Sequence, residues 1–321
     1  MRSTTATLHT LFLLGLTMTP PLCVSPAAAK DVAASASAGR PSSLPVLAEH
    51  GYRMLAKVRP LLFWISRDDV GGARITWRGD SAETSGYELL IGSDPARAPR
   101  RINKWGYIAE ELHGGDARVL GVMKQSNEKS IEEAQAQIGA QGDGVYVFKA
   151  IRGSASGSEA RAGITTVRAS RDFTYHDLDS LLELVSGARG DGDPKSMPLP
   201  GGTRPGFLVA LADLIRGSVD ANHVKPGAFS ARTIAYIYNG TRHELTLRSA
   251  EPRRTADIGA QRYTDVVRGE FETRNPKTGE ATRFEVTYGT TGAMAGVPVH
   301  AVYQPRWWFE VQLFLDDATR F

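Results

Sequence analysis

Histidine is the side chain best suited to acid–base or metal chemistry near neutral pH, and six histidines lie beyond the first thirty residues: His50, His113, His176, His223, His243 and His300. Each is isolated along the chain. His243-Glu244 begins like a zinc-protease helix motif, but the second histidine would fall at Leu247. The segment also reads as a strand, which lacks the helical geometry that two such ligands need. Gly153-Ser154-Ala155-Ser156-Gly157 has alanine where a nucleophile elbow places its serine. Gly142-Asp143-Gly144 lacks the third glycine of a dinucleotide fingerprint, and no Walker loop occurs. Asp191 and Asp193 lack the further oxygen ligands and late glutamate of a calcium loop. A hydrolase built from His176, His243 or His300 with nearby acids is the chemistry that these residues leave open. The sequence calls for no cofactor and no metal.

Aromatic side chains give a different hint. In the run Gly296 to Asp317, Trp307, Phe309, Val311, Leu313 and Leu315 are apolar at every odd position. Successive strand side chains point to opposite faces, so Trp307 and Trp308 cannot enter the same core. Trp308 and Phe314 then need a second apolar environment, either helices covering the other face or a groove for an apolar ligand or protein partner. Trp105 and Tyr107 interleave with Arg97, Arg100, Arg101 and Lys104 and form a second candidate binding group. Without another basic element, nucleic acid is not an expected partner.

The N-terminus indicates the compartment in which these residues work. Arg2 precedes an apolar core from Leu8 to Met18, and Ala27-Ala28-Ala29 follows. That order is a secretory signal peptide over residues 1–29, too short for a transmembrane span. Cys23 is the single cysteine and falls inside that leader, so the exported chain would have neither disulfide nor thiol chemistry. The net charge of +3 comes with no dense basic block of the kind a nucleic-acid surface would carry. With a signal peptide and no further hydrophobic span, the bacterial periplasm is the expected location, with no transmembrane segment in the mature chain.

Residues 30–45 read as a flexible leader of small and polar side chains. The spacing of Val46, Leu47, Met54, Leu55 and Val58 predicts a helix that ends before Pro60. Leu61–Ser66 and Ala73–Arg78 predict strands flanking an Asp/Gly turn, and Gly86–Ile91 predicts a third strand. Residues 96–113 are ambiguous between helix and loop. Ala117–Lys124, Val145–Ile151 and Ala162–Arg168 predict strands, Ser126–Ile138 a surface helix, and Phe173–Val185 a helix capped by Thr174 or Asp172. Residues 187–205 form a Gly/Pro/Asp-rich loop or boundary between an N-terminal lobe, 46–186, and a β-rich lobe, 206–321. Phe207–Ile215 predicts a buried helix. Asn239-Gly240 predicts a hairpin turn between 233–238 and 241–248, and Asn275–Gly279 a second between 263–274 and 282–288. For the final run, a single long strand kinked at Pro305, or a turn through an odd-length loop, preserves the apolar face better than a two-residue turn at Pro305-Arg306, and the curved sheet favours the long strand.

The antiparallel pattern over about residues 230–317, behind a signal peptide, resembles exported half-barrel proteins of the lipoprotein-carrier type. In those a curved sheet holds acyl chains beneath a helix-bearing lid. The stretches RINKWGYIAEEL and YQPRWWFEVQLFLDD are also similar to those of uncharacterised exported bacterial proteins, a likeness that implies no chemistry. The expectation is an α+β protein with a large curved antiparallel sheet, half-barrel-like, and a few packed helices. Its expected role is a non-catalytic periplasmic binding or envelope-assembly protein. Trp308, Phe314, Trp105 and Tyr107 would meet an apolar ligand or an envelope protein partner.

Overall fold

The computed structural model describes residues 44–59, 63–80, 83–98, 101–124, 145–222 and 230–318. The predicted helix over 126–138 lies outside them. Fourteen strands among these residues form one open, curved antiparallel sheet. In chain order they are β1 Val46–Val58, β2 Ile65–Asp80, β3 Glu83–Ser93, β4 Trp105–His113, β5 Asp116–Lys124, β6 Val145–Ser156 and β7 Glu159–Ser170. Helix α1, Leu178–Gly187, and β8, Lys195–Pro198, come next, followed by helix α2, Phe207–Asn222. The chain ends with β9 Arg232–Tyr238, β10 Thr241–Ile258, β11 Gln261–Arg274, β12 Ala281–Gly289, β13 Pro298–Arg306 and β14 Phe309–Leu315. Across the sheet, β8 leads in reverse chain order to β1, then β14 follows and runs in reverse order to β9. The fold is therefore α+β, as the strand-rich pattern implies.

The predicted helix over 46–58 is instead β1. Tyr52 and Met54 are buried while Gly51 and Arg53 are only partly so, a period of two imposed by pairing with β2 on one side and β14 on the other. Tertiary pairing here outweighs a helix-like apolar spacing. The predicted turn at Asp68–Gly72 is part of β2. The strand bulges there, with Asp69 at a φ of 54°, a conformation that Asp tolerates better than most residues. Gly71 serves close packing: a methyl group on it would overlap the Gly92 carbonyl of β3. The ambiguous 96–113 segment contains β4, and the loop 187–205 contains β8.

The Asn239-Gly240 hairpin forms as read, both residues taking positive φ, and so does the hairpin between β11 and β12. The final run is not one kinked strand. It turns at Trp307-Trp308 between β13 and β14, and the register shifts between Tyr303 and Arg306. Beyond that irregularity Tyr303 faces Val311 and Ala301 faces Leu313. The shift restores the odd-to-odd phase that an unbulged two-residue turn would break, and Pro305 sits where a bulge tolerates it.

The curved sheet wraps around α2. Phe207, Leu208, Val209, Ala210, Leu214 and Ile215 pack with Tyr87, Ile108 and Ile151 from β3–β6 and with Leu245, Val267, Phe271 and Tyr288 from β10–β12. Each large side chain buried here contributes about 1.5–3 kcal/mol. The chain after β8 ties the two sheet edges together: Arg204 exchanges backbone hydrogen bonds with Ala235 and Ile237 of β9. Helix α1 covers the opposite face over β4–β7, burying Leu178, Leu181, Leu182 and Val185 on Trp105, Tyr107, Val122 and Phe148. The predicted Thr174 cap forms on the short 3-10 turn Tyr175–Asp177 that leads into α1, accepting from the His176 amide while Asp177 accepts from the Thr174 amide; α1 itself has no side-chain cap.

Gly71→Ala should lower stability by about 1–3 kcal/mol through overlap with β3 backbone. Gly163→Ala, whose new methyl would meet Pro194 at 3.9 Å, should stay near wild type. Denaturant midpoints of the two variants check this contrast.

Candidate functional site

The four aromatic candidates fall into two groups. Cross-strand pairing links Phe314 to Arg53, Gly72, Gly92 and Trp105 in one row. Phe314, Trp105 and Tyr107 thus share one face of the sheet, with about 19 Å between β14 and β4 at ordinary strand spacing. Trp105 and Tyr107 are buried beneath α1, and the Trp105 indole donates to the Phe173 carbonyl at 3.4 Å. Phe314 is half-buried at the other end of the row. Its ring lies 4.7 Å from that of His300, and the Arg53 guanidinium sits over it at 5.3 Å.

Among the described residues no helix covers Phe314; a hairpin arm does. Strands β10 and β11 stay paired out to Ile258 and Gln261, past Val266, where the pairing with β12 stops. The turn at the arm's tip brings Gly259 against Phe314, a Cβ there falling 3.5 Å from the ring. Trp308 lies in the β13–β14 turn, half-buried on the cluster of Met54, Val70, Phe309 and Val311.

The three histidines weighed for hydrolysis occupy three environments. His176 is exposed in the turn before α1 and packs on Tyr175. His300 contacts Gln312 and Phe314, and burial lowers its pKa. His243 is buried against Tyr236 at 5.4 Å, and burial lowers its pKa as well. Among the described residues no group of three or more His, Cys, Asp or Glu could hold a metal ion.

Sequence reasoning missed the most unusual titratable group. Glu110 is fully buried on the α2 side of β4, and its carboxylate accepts from the Leu208 amide at 3.0 Å and the Val209 amide at 2.9 Å. Those amides open α2, where the backbone leaves donors unsatisfied and the helix dipole favours negative charge. Burial pushes the Glu110 carboxyl up to about 7, with the amides of Leu208, Val209 and Phe207 opposing that rise. Gly206 permits the approach, since a methyl there would overlap the carboxyl. Tyr236 and Tyr238 line the same interior, and the Tyr238 hydroxyl has no hydrogen-bond partner among the described residues. The signal was an acid in phase with apolar Ile108, visible only once 105–113 is known to be a strand.

No protein-family profile matches the chain. No curated protein matches it either. A candidate lipoprotein from Parabacteroides distasonis, known from a crystal structure, aligns over 84% of this chain and 95% of its own, at 12% identity and a TM-score of 0.26. Among the described residues no helix is long and apolar enough to cross a membrane.

The raised pKa of Glu110 fixes the sign of a pH effect. Below about 4.5 both folded and unfolded states hold the proton, and folding carries no ionisation penalty. As pH rises toward about 7 the unfolded state ionises first, so stability falls, and it levels off above that value. Denaturant titrations from pH 4.5 to 7.5 should show wild type losing about 3 kcal/mol relative to Glu110→Gln. Parallel profiles would contradict the buried-acid account.

Proposed function

We propose that this chain works outside the cytoplasm as a non-catalytic binding protein of the bacterial envelope. It would take an apolar ligand or a protein partner through aromatic side chains of its sheet. The observation that carries this reading is the placement of Trp308 and Phe314. Trp308 is half-buried in the β13–β14 turn and Phe314 is half-buried near the opposite end of β14, against the β10–β11 arm; among the described residues neither lies beneath a helix. Trp105 and Tyr107 would join such a contact only if α1 moved, because its buried face packs over them. The concave side of the sheet, where a half-barrel carrier would hold acyl chains, is packed by α2. The contact therefore belongs to the rim and outer face. The separation of His176, His243 and His300 supports binding over catalysis, because acid–base partners must lie within hydrogen-bond reach of one reacting group. The periplasm remains the address that the N-terminal leader favours.

Native mass spectrometry after gentle purification should show a co-purifying apolar species or partner, and Trp308→Ala should reduce its occupancy several-fold. Bare protein in every preparation, together with an ester turnover abolished by His300→Ala or His243→Ala, would replace this reading with a hydrolytic one.

A further inference from the structure

Large apolar side chains exposed to solvent gather at one end of the molecule. Of the eight such residues described, five lie there: Trp307 at 68% exposure, Phe63 at 60%, Ile65 at 52%, Trp64 at 39% and Val58 at 37%. They belong to two neighbouring strand connections. Val58 pairs with Ile65 across β1–β2 and with Phe309 across β1–β14. The Arg59 amide donates to the Trp308 carbonyl at 2.7 Å, which joins the two ends directly. A patch of this make-up signals an interaction surface rather than scattered surface apolarity.

The charges beside it select the occupant. Lys57, Arg59 and Arg67 lie in or next to these connections, with the acids Asp68 and Glu310 beside them. Glu310 is paired with Lys57 at 2.9 Å, and Asp68 with Arg53. The Arg59 guanidinium lies over the Trp64 ring at 5.9 Å. Tryptophan and phenylalanine beside cationic side chains suit a membrane–water boundary, where rings enter the acyl border and cations meet phosphate headgroups. A second copy of the chain would instead bring like-charged arginines together around the same aromatics.

We propose that the connected ends of β1–β2 and β13–β14 form a peripheral anchor that inserts Phe63, Trp64, Ile65 and Trp307 into the interface of an anionic lipid bilayer. This deepens the binding reading above, on which it rests, by naming a lipid surface as the partner. It makes the protein one that lies on a membrane without spanning it.

The test is co-sedimentation of the purified full chain with phosphatidylcholine vesicles, with or without phosphatidylglycerol, while tryptophan emission is followed. Wild type should bind the anionic vesicles more tightly than the neutral ones, with emission shifting to the blue. The double variant Phe63→Ser, Trp307→Ser should bind at least about tenfold more weakly. Its unfolding midpoint should match wild type, since both side chains are exposed; the N-terminal leader is common to both proteins and cancels in the comparison. Arg59→Gln should weaken binding on anionic vesicles only. Equal sedimentation of wild type and double variant, or an unchanged emission maximum, would overturn the proposal. So would a monomer–dimer equilibrium, seen by sedimentation velocity, that the double variant abolishes while neither protein binds vesicles. If vesicle binding fails but a co-purifying ligand persists in native mass spectrometry, the membrane anchor falls and the broader binding reading stands.

Discussion

A carboxylate inside an apolar interior is costly unless its oxygens are bonded, and Glu110 is placed in just that position. Its described hydrogen-bond partners are the first amides of α2. The helix has the converse need, because its opening N–H groups face the same interior and have no acceptor of their own. The two needs satisfy one another, and the match sets where α2 begins. From there the helix supplies the apolar side chains that strands β3–β6 and β9–β12 share. Gly206 belongs to the same constraint because any side chain at that position would occupy the space of the carboxyl. Arg204, two residues earlier, bonds to β9, so the segment that presents α2 to Glu110 also ties one sheet edge to the other.

Filling the concave side moves the search for function outward. A half-barrel that carries acyl chains needs an open concavity, and here α2 takes that space. The remaining unusual features lie on the rim: the arm that folds onto Phe314, the half-buried Trp308, and the exposed aromatics beside it. The polar interior around Glu110, Tyr236, Tyr238 and His243 is a structural device in this account, one whose acid titrates near neutrality.

Local signals revealed the fold wherever the sequence carried turn chemistry or a clean period. Asn239-Gly240 placed one hairpin, the apolar faces of 173–185 and 207–215 placed both helices, and alternation placed most strands. The failures came where pairing decided the outcome. Residues 46–58 have apolar positions compatible with a helix, yet two neighbouring strands hold them extended. Asp68–Gly72 looks like a turn, but Asp69 accommodates a bulge and Gly71 a close strand approach. The Trp307-Trp308 turn was hidden because unbroken alternation suggested one strand, and the register shift near Pro305 cannot be read from composition. Among the candidate residues, the strand reading put Trp307 on the face of Phe309 and Val311 and Trp308 on the other; the two lie in a turn instead, where Trp308 packs on that cluster and Trp307 is exposed. Glu110 was invisible for a related reason: a lone acid acquires meaning only when the strand phase and the helix opposite are both known.

The central claim is that Glu110 holds the start of α2 inside the curved sheet. Site-resolved hydrogen exchange tests it most directly, comparing wild type with Glu110→Ala under conditions where both are folded. The account predicts that the amides of Leu208 and Val209 lose protection by an order of magnitude or more in the variant, while the β11–β12 amides keep theirs. Unchanged protection at Leu208 and Val209 would contradict it.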